Sequence, residues 1–198
     1  MDIFTHSIFP TLITEVKCVA FNTIQNDLLE WIYDYQSKNQ DNGVNLSNVG
    51  GWQSRSNFYR EITFKPFLEY ITTHIDSGVS NFLNSKTKLN NMWININRKN
   101  DYNVTHTHGG VDISGVFWIK TPQTSGSLIF ESPNSFVQYK IFTNSNKNFL
   151  ENYNCFPTYG MIPNEGSIIL FPSHLAHRVQ TSFSNEDRIS IAFNLDII

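Results

Sequence analysis

In the C-terminal run Arg188-Ile-Ser-Ile-Ala-Phe-Asn-Leu195, large apolar residues alternate with small or polar ones. This period of two is typical of a β-strand, whose successive side chains point to opposite faces. The apolar face must be covered, and we expect helices to pack on it. The other face carries Arg188 among small residues, and an unpaired buried charge costs several kcal/mol. Because no acidic partner is obvious, a ligand carboxylate would serve.

The strand-like character continues through most of the second half of the chain. Short runs at 89–98, 111–120, 127–131, 167–171, 178–182 and 188–195 are bounded by Gly, Pro and Asn. Earlier, apolar residues recur at three- and four-residue steps over 22–38 and 65–84, which predicts two amphipathic helices. An apolar strand at 4–12 is expected to open the chain. With no βαβ alternation, the prediction is a mainly β (α+β) sandwich or barrel buttressed by two helices.

Length and charge set the broad class. The 198 residues fit one domain, 1–198, with strand and supporting helices over 1–87 and a sheet core over 88–198. The formal charge of −3 gives no general attraction to nucleic acid or to an anionic membrane. Only two cysteines occur, and the first residues lack a secretory signal pattern, so we expect a cytoplasmic protein.

Three histidines suggest a metal site. His106 and His108 flank one threonine, and His177 follows His106 by 71 residues, just before another strand-like run. Side chains at i and i+2 of an extended segment point to the same side, about 6.5–7 Å apart. If the segment is a strand, two imidazoles can therefore close on one metal ion, whereas on a helix they would splay.

Four segments together resemble a family of 2-oxoglutarate/Fe(II)-dependent oxygenases. They are Asn103-Val-Thr-His106-Thr-His108, Ser114-Gly-Val-Phe-Trp118-Ile, Gly166-Ser-Ile-Ile-Leu-Phe171-Pro-Ser-His174-Leu-Ala-His177-Arg-Val, and Arg188-Ile-Ser190-Ile-Ala-Phe-Asn194. The resemblance implies a double-stranded β-helix, also called a jelly roll, with Fe(II) and 2-oxoglutarate as cofactors. It also implies an enzyme that consumes O2 and hydroxylates a second, unidentified substrate.

The resemblance implies a ligand set as well. His106 would be the first ligand and His177 the distal one, although His174 is an alternative in the preceding turn. The middle position is usually Asp or Glu in the superfamily, but here it is His108. Asp112, four residues on, is the alternative after a Gly-Gly turn. We favour His108 because it occupies the middle position itself.

A cofactor pocket follows from the same resemblance. Arg188 would hold the distal carboxylate of 2-oxoglutarate as a bidentate pair, and Ser190 would add a hydroxyl. Arg188 comes eleven residues after His177, which is enough for a strand, a turn and a return alongside it. Asn95 and Asn97 lie on the strand before the first histidine pair, and from there we expect them to hydrogen-bond the other end of the cofactor.

Two other functions stay open at this point. One is a cupin-like metal enzyme that does not use 2-oxoglutarate, and the other is a non-catalytic jelly-roll binding domain. The irregular stretches 39–58 and 140–158 are expected to be loops that set substrate choice. Sandwich oxygenases often pair through helices, which makes a homodimer an option that the sequence leaves undecided.

Overall fold

The computed structural model describes residues 1–4, 6, 8–134 and 147–198. Within these ranges the helices are α1 (Gln25–Lys38), α2 (Lys65–Leu83) and α3 (Lys147–Tyr153). The strands are β1 (Thr14–Lys17), β2 (Asn48–Val49), β3 (Trp52–Gln53), β4 (Thr87–Asn97), β5 (Tyr102–His106), β6 (Ile113–Lys120), β7 (Leu128–Glu131), β8 (Thr158–Met161), β9 (Ser167–Pro172), β10 (His177–Val179) and β11 (Arg188–Ile197). Both predicted helices are confirmed, although α1 begins at residue 25 because Phe21–Thr23 form a 3₁₀ turn.

The strands form two antiparallel sheets. A six-stranded sheet has the order β1-β9-β6-β11-β4-β3, and a five-stranded sheet has the order β2-β5-β10-β7-β8. Side chains of β6 and β9 pack against those of β7 in one apolar cluster, so the inner faces of the two sheets meet. This is the jelly-roll arrangement of a double-stranded β-helix, and the predicted fold class is confirmed.

The apolar face of β11 packs on the long helices, as predicted. Its four large side chains, those of Ile189, Ile191, Phe193 and Leu195, are at most 2% exposed. They share one core with residues of α1 and α2, namely Leu28, Ile32, Ile71, Ile75 and Val79. Burying a side chain of this size contributes about 1.5–3 kcal/mol. The helical layer leaves the polar face of β11 turned toward the other sheet.

No helix in the described ranges combines the length and apolarity needed to cross a bilayer.

The predicted opening strand at 4–12 is wrong for the residues that the structure describes there, 4, 6 and 8–12, which form no strand. The first strand is β1, which begins at Thr14 and pairs with β9. The side chains of Phe4, Ile8, Phe9 and Leu12 are 55–89% exposed. Pro10 lacks a backbone N–H, and Phe9 adopts a left-handed φ of 59°, so the chain cannot form a regular ladder at these two residues.

The two irregular stretches contain secondary structure that periodicity does not reveal. β2 and β3 lie within 39–58, and β2 pairs with β5 at the edge of the five-stranded sheet. α3 lies within 140–158 and β8 begins at its last residue, whereas residues 140–146 are outside the described residues. Strands of two to four residues are too short to produce a visible alternation.

The strands that carry His177 and Arg188 lie in opposite sheets, which corrects the expectation that they run side by side. β10 pairs with β5 and β7, while β11 pairs with β4 and β6. The connection therefore crosses from one sheet to the other instead of turning back as a hairpin. The side chains of His177 and Arg188 nevertheless line one cavity between the two sheets.

Candidate active site

The three predicted histidines converge between the sheets. His106 is the last residue of β5 and pairs directly with His177, the first residue of β10. One ring nitrogen of each of His106, His108 and His177 lies within 4.8 Å of those of the other two. Their ring centroids are 4.3–5.1 Å apart. This spacing lets the three rings share one metal ion.

His108 reaches this group from beyond the end of its strand. β5 stops at His106, so the i, i+2 geometry expected of a strand does not by itself position His108. Instead, the His108 backbone N–H donates to the Ser173 carbonyl at 2.9 Å, which ties the segment to the turn before β10. A register shift also pairs Asn103 with Val179 while His106 faces His177. Such a bulge re-aims side chains at the edge of a site.

Hydrogen bonds set the proton positions on two of the rings. His106 Nδ1 lies 2.8 Å from the Val104 carbonyl oxygen, and His177 Nδ1 lies 2.8 Å from that of Leu175. A carbonyl oxygen only accepts, so in each neutral ring Nδ1 carries the proton and donates it. Nε2 is left with its lone pair, as a metal ligand requires.

The third ring has side-chain partners. His108 Nδ1 lies 2.7 Å from Asn194 Oδ1 and 3.0 Å from Ser114 Oγ. The sequence alone assigns neither partner a role, although the alternation in β11 places Asn194 on the inner face. Only the register of β11 against β6, which pairs Asn194 with Ser114, brings both to His108.

Burial keeps the three imidazoles neutral. It lowers the pKa of His177 to about 3, and it also lowers the pKa of His106 and of His108. For His108 the bond to Asn194 opposes this effect. Because the metal-binding form of histidine is the neutral one, binding at pH 7 needs no proton release from these rings.

Asp112 and His174, the two alternative ligands, lie outside the group. Asp112 is exposed, and its Oδ2 accepts a hydrogen bond from the Ile197 backbone N–H at 2.8 Å. His174 is exposed in the turn before β10. Within the described ranges, the cluster of potential metal ligands consists of the three other histidines alone.

Arg188 is buried on the inner face of β11, with only 1% of its surface exposed. Its Nη1 donates to the carbonyl oxygens of Ser125 and Gln180, whereas Nη2 has no hydrogen-bond partner among the described residues. Burial lowers the pKa of Arg188 to about 10, with Asp101 opposing the shift, so the guanidinium stays charged at pH 7. No ion pair with Arg188 forms in the part of the chain that the structure describes. Half of the guanidinium fork is therefore available to a ligand.

The other predicted cofactor contacts surround Arg188. In the ladder between β4 and β11, Asn97 lies opposite Arg188 and Asn95 lies opposite Ser190. All four line one cavity that also contains the three histidines. Asn95 Oδ1 is buried and has no partner within the described chain. Buried polar atoms are normally paired, so the free Nη2 of Arg188 fits a hydrogen-bond acceptor in this cavity, whereas the free Oδ1 of Asn95 fits a donor.

Comparison with known families decides the class. The profile of a family described as "Putative 2OG-Fe(II) oxygenase" matches residues 91–194. The chain belongs to this family. The oxygenase accordingly depends on Fe(II) and 2-oxoglutarate, which confirms the predicted enzyme class and cofactors. The donor set fits both, because neutral imidazoles suit Fe(II) and the free guanidinium edge suits a carboxylate.

Solved structures share the fold of the oxygenase at low sequence identity. The alpha ketoglutarate dependent carbocyclase SnoK from nogalamycin biosynthesis has a TM-score of 0.68 at 8% identity, covering 93% of this chain and 79% of its own. HygX from Streptomyces hygroscopicus, with nickel and 2-oxoglutarate bound, has a TM-score of 0.62 at 10% identity, with coverages of 94% and 82%. A Pseudomonas putida prolyl-4-hydroxylase has a TM-score of 0.59 at 9% identity, with coverages of 94% and 92%. A search of curated protein sequences finds no match.

Proposed function

We propose that the oxygenase holds Fe(II) through His106, His108 and His177 and hydroxylates a C–H bond of its substrate. The convergence of their three ring nitrogens within 4.8 Å of one another carries this proposal. A facial set of three protein ligands leaves positions for a bidentate cosubstrate and for O2. With His108 in place of a carboxylate, the protein ligands are all neutral, so the charge of the ion is offset by anionic 2-oxoglutarate.

Arg188 is proposed to bind the distal carboxylate of 2-oxoglutarate, with Ser190 donating a further hydrogen bond. The unpaired Nη2 of Arg188 supports this role, because a second acceptor would complete its fork. Asn95 and Asn97 are proposed to contact the other end of the cosubstrate from β4. The bonds from Arg188 Nη1 to two carbonyl groups hold the guanidinium in one orientation before any ligand arrives.

The residues of the chain bind, orient and enclose the reactants. When bound, Fe(II) and 2-oxoglutarate supply the oxidation, in which O2 is consumed, 2-oxoglutarate becomes succinate and CO2, and a substrate C–H becomes C–OH. The neutral histidines offer lone pairs without releasing protons, and Arg188 fixes the cosubstrate at its remote end. Val116, Trp118 and Phe171 form an apolar wall of the cavity, which limits the access of water.

An anaerobic titration tests this function. Fe(II) and 2-oxoglutarate added to the full chain without oxygen are expected to give the weak visible metal-to-ligand charge-transfer band of this enzyme class. Succinate in place of 2-oxoglutarate is the matched control and should give no band, because it lacks the keto group. Admission of O2 should then convert 2-oxoglutarate to succinate. A protein with verified iron content that shows neither the band nor succinate would contradict the proposal.

One domain over residues 1–198 in the cytoplasm is part of the same proposal. The helices of 1–87 and the strands of 88–198 contribute to one apolar core, which supports a single folding unit. Cys18 and Cys155 are both free thiols, as is usual in a reducing compartment. The homodimer stays a prediction.

A further inference from the structure

We infer that Asn194 is the positioning residue that sets the proton on His108 and so makes this histidine a ligand in the position usually held by a carboxylate. The inference rests on the proposed metal site and extends it to a residue that does not touch the metal. The three rings differ in the partners of Nδ1. His106 and His177 donate to backbone carbonyls, whereas His108 has side-chain partners.

The side-chain partners of His108 must select one of two tautomers. If Nδ1 carries the proton, Nε2 has a free lone pair for the ion. If Nε2 carries it, that nitrogen cannot bind a metal. An oxygen acceptor beside Nδ1 stabilises the first tautomer, and a donor beside Nδ1 would stabilise the second.

The amide of Asn194 is held with its oxygen toward His108. Asn194 Nδ2 donates to Asn91 Oδ1 at 2.8 Å, which turns the amide nitrogen away from the ring. Asn194 Oδ1 accepts from Ser114 Oγ at 2.7 Å and from His108 Nδ1 at 2.7 Å. Because the Ser114 hydroxyl proton points to Asn194, its oxygen lone pair is left for the Nδ1–H of His108, 3.0 Å away.

This network is buried, so water cannot readily replace it. Asn194 is 6% exposed and Ser114 is 1% exposed. Partners that orient a metal-binding histidine typically change metal affinity by about 10–100-fold when they are removed. An aspartate at position 194 would keep an acceptor beside Nδ1, whereas a leucine of similar size would not.

The experiment reads the tautomers directly in the full chain before metal is added. Two-bond ¹H–¹⁵N spectra of ¹⁵N-histidine protein at pH 7.5 should show His106, His108 and His177 protonated on Nδ1. Asn194→Leu is expected to move only His108 toward the Nε2-protonated form, and Asn194→Asp to restore the wild-type pattern. Asn97→Leu, another buried asparagine on the inner face of the same sheet, is the matched control and should leave His108 unchanged.

Co(II) titration supplies the second readout. Asn194→Leu is expected to weaken Co(II) binding by about 10–100-fold, and Asn194→Asp to recover most of that loss. Ser114→Ala should keep His108 protonated on Nδ1, since the Asn194 oxygen remains, and this variant serves if Asn194→Leu does not fold.

The inference is overturned if Asn194→Leu leaves both the His108 tautomer and Co(II) affinity unchanged. It is also overturned if Ser114→Ala alone moves the proton. A tautomer shift in a protein that never binds Co(II) would overturn the metal site but support the assignment of the proton to Asn194.

Discussion

Replacing His177 by alanine is expected to lower metal affinity by at least about 100-fold, since removal of an outer partner alone costs about 10–100-fold. Turnover of 2-oxoglutarate should fall below detection. His177 is 5% exposed and packs against Phe130 and Phe171, with ring centroids 6.2 and 4.7 Å away. These neighbours offer no ligand atom that could take its place. Co(II) titration and succinate formation measure the two losses.

Two variants separate loss of a ligand from general disruption. His174→Ala, three residues earlier and exposed, should bind Co(II) like the wild type. Asp112→Asn should also retain binding, because its carboxylate contacts the Ile197 backbone rather than the histidines. Wild-type metal affinity in His177→Ala, with the circular dichroism spectrum preserved, would remove His177 from the ligand set.

Replacing Arg188 by alanine is expected to weaken 2-oxoglutarate binding by roughly 30- to 4,000-fold, which corresponds to about 2–5 kcal/mol for truncating one partner of a buried charge pair. The free Nη2 would be gone, and no other Lys or Arg side chain lines this cavity among the described residues. The dependence of the anaerobic charge-transfer band on 2-oxoglutarate concentration measures this change.

Arg188→Lys is the matched control for charge. It keeps a cation but cannot present a planar fork, so its affinity should lie between those of the wild type and Arg188→Ala. Both variants also remove the guanidinium that donates to the carbonyls of Ser125 and Gln180, so thermal unfolding must be followed in parallel. Co(II) affinity without 2-oxoglutarate should stay near that of the wild type. Unchanged 2-oxoglutarate affinity in Arg188→Ala would disprove the assigned role.

The parts of the fold that periodicity reports directly are predictable from the sequence. The alternation in β11 and the three- and four-residue steps of α1 and α2 each record which side chains are buried, and these elements are confirmed. The described residues of the run 4–12 form no strand, because Pro10 interrupts the backbone pattern, so apolar content alone predicts the wrong structure there.

The candidate site is predictable only in its residue types. His177 and Arg188 both face one cavity. The alternation of apolar and polar residues shows which side chains of a strand point inward, but it does not show whether two such strands lie in one sheet or in opposite sheets. His108 forms a backbone hydrogen bond to Ser173 and a side-chain hydrogen bond to Asn194. Both contacts depend on strand register, which turns and bulges set. Local pattern contains too little information to predict either contact.

Crystals grown without oxygen, with Fe(II) and 2-oxoglutarate added, would show which residues bind the ion and which bind the cosubstrate. We predict a single ion bound by one ring nitrogen from each of His106, His108 and His177, with the distal carboxylate of 2-oxoglutarate on Arg188. An ion bound by Asp112 instead of His108, or a 2-oxoglutarate molecule that leaves Arg188 without a carboxylate, would contradict it.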